Sequence, residues 1–141
     1  MLLGEILLSF TSYKQVRRAR LLLDENYDEP ITIEDLSHEV ALSPYYLIRA
    51  FRHAYKQTPH QYLIELRIAK AKELLRNSDL SITEICMAVG YESLGSFSTL
   101  FRNVAGISPR AYRDNAQPTL TPKYIPFCVS LHLGIEEQPN L

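Results

Sequence analysis

The chain contains itself twice. Thr32 to Leu42 matches Ser81 to Tyr91 at an offset of 49 residues, and Ser43 to Tyr62 matches Ser93 to Tyr112 at an offset of 50. The one-residue step falls at Glu92, an insertion in a turn. In that register Ile33 meets Ile82, Val40 meets Val89, Phe51-Arg52 meets Phe101-Arg102, and Pro59 meets Pro109. Each copy reads as short helix, tight turn, second helix. Two such copies in tandem suit a ligand with a repeating groove, which points to duplex DNA.

Local signals set the helices. Val16, Ala19, Arg20 and Leu23 space out one face of a helix from Tyr13 to Asn26, and Asp28-Glu29-Pro30 ends it. Thr32 caps the next helix, with Asp35 as a partner resembling a capping box. Ala41-Leu42 is the turn. Ser43 is a second cap and Pro44 sits at the first helical position, where its missing N–H costs nothing. Leu47, Ala50, Phe51 and Ala54 then point inward. Pro59 starts a long helix to about Arg76, with Tyr62, Leu63, Leu66, Ala69, Ala71, Leu74 and Leu75 as its apolar positions. The second copy repeats the plan. Ser81 is its cap and Glu84 the box partner, Gly90 occupies the turn, Ser93 caps the second helix, and Ser108-Pro109 starts a last short one.

The expected architecture is all-α, with two helix-turn-helix subdomains joined by a long linker helix, about seven helices in all. Residues 1–12 form an arm, 13–58 the first subdomain, 59–77 the linker helix, 78–115 the second subdomain, and 116–141 a C-terminal tail. Within that tail, Tyr124 to Leu133 alternates weakly enough to allow one short strand.

Net charge is −1, which a DNA-binding surface must overcome by distribution. Between Ser43 and Lys72 lie Arg49, Arg52, Lys56, Arg67, Lys70 and Lys72 against Glu65 alone. Between Ser93 and Arg113 lie Arg102, Arg110 and Arg113 with no acid. The acids gather from Asp24 to Glu39. Two cysteines, Cys86 and Cys128, make no disulfide framework, and a reduced, cytoplasmic setting fits. No apolar run approaches the roughly 20 residues of a membrane span. Met1 to Phe10 is apolar but carries Glu5 and lacks a basic leader and cleavage site, so it does not read as a secretion signal.

In a helix-turn-helix the first helix braces the second, whose outer face enters the major groove. Helical periodicity places Tyr45, Ile48, Arg49, Arg52 and Lys56 on that face in the first copy, within a recognition helix of about 43–55. The second copy, about 93–104, offers Gly95, Ser96, Thr99, Arg102 and Asn103. Tyr45, Ile48, Arg49, Ser96 and Thr99 are the candidate base contacts. Arg49 is suited to fork onto a guanine edge, and Tyr45 and Ile48 to meet thymine methyls. Ser43, Arg52, Lys56, Ser93, Arg102 and Arg110 are the candidate phosphate contacts.

Longer stretches carry a resemblance. Arg67-Ile68-Ala69-Lys70-Ala71-Lys72-Glu73-Leu74-Leu75, then Ile82 to Tyr91, Phe97 to Arg102, and Gly106-Ile107-Ser108-Pro109-Arg110-Ala111-Tyr112-Arg113 resemble the AraC/XylS family of bacterial transcription regulators. That family's pattern runs R-hydrophobic-x-x-A-x-x-L-L, I-x-x-I-A-x-x-V-G-F, F-x-R-x-F-K and G-x-S-P-x-x-Y-R. The resemblance covers about Val16 to Arg113. Three positions depart from it: Cys86 stands where alanine is usual, Tyr91 where another aromatic is usual, and Thr99 where arginine is usual. The last leaves the second recognition helix with little to grip.

The resemblance implies a sequence-specific regulator with two recognition helices in successive major-groove segments of double-stranded DNA, and RNA polymerase as a further partner. It is similar to the short, stand-alone members of the family, for which a monomer is expected. The rival readings are a protein-interaction module and the DNA-binding fragment of a larger effector-responsive regulator. An enzyme is not expected. Ile125-Pro126-Phe127-Cys128-Val129 is faintly similar to the reactive-cysteine loop of DNA alkyltransferases fused to such modules, but it lacks the proline-cysteine-histidine-arginine order. Asp24-Glu25 and Asp28-Glu29 are read as solvated helix-end acids rather than catalytic pairs. His38, His53, His60 and His132 form no ligand cluster, so neither a metal nor a cofactor is expected.

Overall fold

The computed structural model describes residues 10–116. They form seven helices and, among the described residues, no strand: α1 (Phe10–Glu25), α2 (Ile33–Val40), α3 (Pro44–Tyr55), α4 (Pro59–Asn77), α5 (Ile82–Ala88), α6 (Leu94–Ala105) and α7 (Pro109–Asn115). Most of the expected arm and tail, with the strand reading at 124–133 and Cys128, lies outside the described residues. The chain divides into two compact units between Leu63 and Ile64. The division falls inside the long helix α4 rather than at its ends.

In the first unit α1 packs on α2 and α3, and α2 on α3. Val16, Ala19 and Leu23 recur at helical spacing on the buried face of α1, which starts at Phe10, three residues before the expected Tyr13. The caps explain where α2 and α3 begin. Thr32 and Asp35 bond reciprocally, each side chain taking the other's backbone N–H at 3.1 Å. The Ser43 hydroxyl accepts from the Tyr46 N–H at 3.2 Å, with Pro44 at the first helical position. Between them the turn passes through Ala41 at φ 57°, a left-handed conformation that costs a Cβ-bearing residue roughly 1–2 kcal/mol. Gln15 on α1 donates to the Val40 carbonyl at 2.8 Å, pinning the end of α2 to the brace.

Phe51 is the hub of this core. Its ring meets Tyr55 at 4.8 Å and Tyr62 at 5.7 Å, both edge to face. One sequence expectation is corrected here. Asp24 is not a solvated helix-end acid: it is only 7 % exposed and accepts a hydrogen bond from the Tyr62 hydroxyl. The residue after Leu23 shares the covered side of α1, where a carboxylate requires a hydrogen-bonding partner.

The helix α4 opens with a second reciprocal box, in which the Thr58 N–H donates to Gln61 Oε1 at 2.9 Å and the Gln61 N–H to Thr58 Oγ1 at 3.2 Å. Along it Tyr62, Leu63, Leu66, Ala71 and Leu75 are buried as their spacing predicts. Ala69 and Leu74 are half-buried, while Ile68, unnamed by the spacing argument, is fully covered.

The second unit repeats the devices with different residues. Ser81 and Glu84 form the box of α5. Gly90 takes φ 98° at the turn, the place Ala41 holds in the first copy. Gly106 takes φ 85° after α6, where the first copy has Lys56 at φ 63°. Phe97 and Phe101 fill the core beside Tyr91 and Tyr112. Cys86 is buried, its S–H directed at the Tyr91 carbonyl at 3.6 Å, and burial pushes its thiol pKa up. A protonated, covered thiol is packing material rather than a nucleophile. Arg113 closes the unit: its guanidinium donates to the Leu75 carbonyl at 3.2 Å and the Ser78 carbonyl at 3.3 Å, satisfying groups at the C-terminal end of α4.

Candidate nucleic-acid interface

In the first unit the burial of Leu47, Ala50 and Phe51 fixes which face of α3 is left outward. Tyr45, Arg49, Arg52 and His53 are exposed on the helix, and Lys56 follows at its C-cap. Tyr45 is 71 % exposed, and the Arg49 guanidinium lies over its ring, 5.6 Å from the centroid. Such a contact holds arginine's planar fork partly ordered in advance of any ligand. Lys56 Nζ donates to the His53 carbonyl at 3.3 Å. Ser43 is exposed, but its hydroxyl already serves as a cap acceptor, which leaves the hydroxyl hydrogen for a phosphate.

Ile48 differs from its expectation as an outer-face residue. It is half-buried and lines an apolar groove of about 370 Å³ with Leu23, Leu36 and Leu63. A packing contact therefore accounts for part of its apolar character. His53 was missed by sequence reasoning. It follows Arg49 by one helical turn, and that spacing alone would have placed it on the same face.

In the second unit α6 leaves Leu94, Gly95, Ser96, Thr99, Arg102 and Asn103 exposed. Ser93 caps the helix by accepting from the Ser96 N–H at 3.3 Å, and Arg110 is exposed at the start of α7. Leu94, three and seven residues before the buried Phe97 and Phe101, stands at the edge of the covered side of α6 and is 43 % exposed.

The basic surface is smaller than the sequence suggests. Arg67, half-buried, lies over the Tyr91 ring at 5.0 Å. Lys72 is only 8 % exposed, with its ammonium 5.7 Å from the centre of the Tyr112 ring. Burial, with Arg76 as a lesser neighbour, lowers its pKa. Arg113 is spent on carbonyls. These three cations stabilise the second unit from within. The exposed cations at the candidate positions are Arg49, Arg52 and Lys56 in the first unit, and Arg102 and Arg110 in the second. No helix among the described residues is long and apolar enough to cross a membrane.

Two units of this build, each offering the outer face of a capped second helix, define a tandem helix-turn-helix protein. A helix-turn-helix domain family matches residues 36–115. The chain is 33 % identical over 104 residues to the HTH-type transcriptional regulator ArgR of Pseudomonas aeruginosa, covering 74 % of this chain and 32 % of that one. Among solved structures it is similar to the C-terminal domain of AraT, a response regulator from Geobacillus stearothermophilus (TM-score 0.71, 32 % identity, 78 % of this chain and 93 % of that one). It is also similar to the DNA-binding domain of AdpA, a global transcriptional factor, in complex with a target DNA (TM-score 0.68, 30 % identity, 70 % and 89 %). The chain belongs to the AraC/XylS-type family of DNA-binding transcription regulators. It spans about a third of the length of the curated relatives it matches.

Proposed function

We propose that the chain binds duplex DNA sequence-specifically, with α3 and α6 each entering a major groove and α3 doing most of the base reading. The observation that carries this division is Arg49 stacked on exposed Tyr45, on a helix whose other exposed cations, Arg52 and Lys56, lie further toward its C-terminal end. A guanidinium ordered at the front of a reader helix suits bidentate contact with guanine, and the cations behind it suit phosphate. The outer face of α6 has Gly95 and Ser96 in its first turn, Thr99 after them and Arg102 behind, which suits anchoring more than reading. Ile48 serves as a base contact only through the part of its side chain that the apolar groove leaves open. The protein acts as a monomer in the cytoplasm and regulates transcription by presenting a surface to RNA polymerase. The test is selection from a randomised duplex pool at low salt, then footprinting at two salt concentrations. Recovery of one asymmetric sequence whose affinity falls steeply with salt is expected. Failure to enrich any sequence contradicts the reading.

A further inference from the structure

One face of α1 carries polar groups that neither the core nor the reader helix uses. Tyr13, Arg17, Arg20 and Asp24 follow one another at four- and three-residue steps, so they line one stripe of the helix. Tyr55, the last residue of α3, lies against that stripe, with the Arg20 guanidinium 5.2 Å from the centre of its ring. At the end of the stripe Asp24 accepts from the Tyr62 hydroxyl. In the middle, the Arg20 Nε–H and the Tyr55 hydroxyl are both buried, and neither has a hydrogen-bonding partner among the described residues. Buried donors are nearly always paired, so two orphans on side chains in contact call for an acceptor. Burial raises the Tyr55 pKa, and the Arg20 and Arg17 charges pull against that rise without cancelling it, so the phenol keeps its proton and can donate. The surroundings favour a negative acceptor. Arg17 is exposed one turn before Arg20, Lys14 and Arg18 are exposed on the adjoining face, and Asp24 is the one opposing charge of the stripe.

We infer that Arg17, Arg20 and Tyr55 bind an oxyanion, the phosphate or carboxylate group of a small molecule. Its oxygens accept from the Arg20 Nε–H, the Tyr55 hydroxyl and the Arg17 guanidinium. Hydrogen bonds from a guanidinium to an oxyanion are charge-assisted and of the stronger kind. Tyr13, 46 % exposed, stands at the outer end of the stripe. Tyr55 follows the buried Phe51 by one helical turn and packs on its ring, so the site is separate from the face of α3 that carries Arg49 and Arg52. A ligand there ties the end of α3 to its brace, α1. The inference goes beyond the proposed reading of DNA and does not depend on which bases α3 contacts.

The test titrates the full chain with inorganic phosphate and, separately, with acetate, at fixed pH and ionic strength with chloride as the balancing ion. The arginine Nε–H resonances are followed by NMR. A saturable shift of the Arg20 Nε–H is expected with at least one of the two anions, and which one distinguishes a phosphate-bearing from a carboxylate-bearing ligand. Arg17→Gln and Tyr55→Phe should each raise the half-saturating concentration about tenfold, the loss of one hydrogen bond to a charged group. Tyr55→Phe should leave the thermal unfolding midpoint in chloride no lower than the parent's, because the hydroxyl it removes has no partner there. If neither anion gives a saturable shift at Arg20, or if either variant titrates as the parent does, the inference is overturned while the proposed function stands. A midpoint of Tyr55→Phe well below the parent's would overturn it as well, by showing that the hydroxyl is already paired within the fold.

Discussion

The two units are built on one plan and spend their residues differently. Tyr62 and Tyr112 occupy equivalent places behind equivalent phenylalanines, yet their surroundings carry opposite charge. The Tyr62 hydroxyl donates to the buried carboxylate of Asp24. Tyr112 sits beneath the Lys72 ammonium, and its hydroxyl accepts from Arg76 Nη1 at 3.3 Å. The first unit therefore buries an acid and leaves its reader cations outside. The second folds Lys72, Arg67 and Arg113 into its own packing and exposes fewer cations beside its reader. Backbone strain is divided in the same sense. The first unit places Ala41 and Lys56 in left-handed conformations where the second has Gly90 and Gly106. The lesson is that a repeat conserves its caps and core rings while freeing charge and strain to vary between copies.

The largest expected effect tests whether the cores are equivalent. Phe51 and Phe101 are both fully buried, and Phe→Ala at either should cost about 3–5 kcal/mol in urea unfolding. Costs that differ by more than about 2 kcal/mol would break the equivalence on which the comparison depends. Next in size is the reader contrast. Arg49→Ala should cost about 1–3 kcal/mol on the best site and relax one base position, and Thr99→Ala should do little. If Thr99→Ala is the more damaging in a titration of the selected duplex, α6 is the main reader.

The strain contrast is smaller. Gly90→Ala should cost about 1–2 kcal/mol, because it forces a Cβ into the left-handed region. Ala41→Gly should stabilise, by less than about 1 kcal/mol, since relief of strain is offset by a more flexible unfolded chain. Thermal unfolding of the two variants checks the pair, and a destabilised Ala41→Gly would show that Ala41 is not strained.

The smallest effect concerns pH. The hydrogen bonds from Thr32 to the Asp35 carboxylate hold its pKa below the usual carboxylate range. A depressed folded pKa gives support that is complete above the ordinary aspartate range and lost as pH falls through the folded value. The stability gap between the parent and Asp35→Ala should therefore narrow on acidification through that window. A gap that widens instead would mean the carboxylate is not what caps α2.

Sequence reasoning reached the helices because their signals are local. Ser or Thr before an acid three residues on, and Ser-Pro before an apolar stripe, are read without knowing what packs where. The reader faces were partly legible for the same reason, since covering Leu47 and Phe51 turns Tyr45 and Arg49 outward. What escaped depends on distant parts of the chain. Asp24 is covered because Tyr62 reaches it from 38 residues away, and Arg113 finds carbonyls 38 and 35 residues back. Lys72 and Arg67 counted as surface charge until aromatic rings met them. Ile48 read as exposed because the groove beside it is assembled from α1, α2 and α4.

The central claim is that the first unit supplies most of the base discrimination and the second mostly anchors. It is tested most directly by measuring, across a salt series, the affinity of the parent, Arg49→Ala and Arg102→Ala for the selected duplex and for a scrambled one. The account predicts that Arg49→Ala shrinks the ratio between the two duplexes by about tenfold. It predicts that Arg102→Ala weakens both equally and lowers the slope of log affinity against log salt by about one. A ratio unchanged by Arg49→Ala and reduced by Arg102→Ala would contradict it.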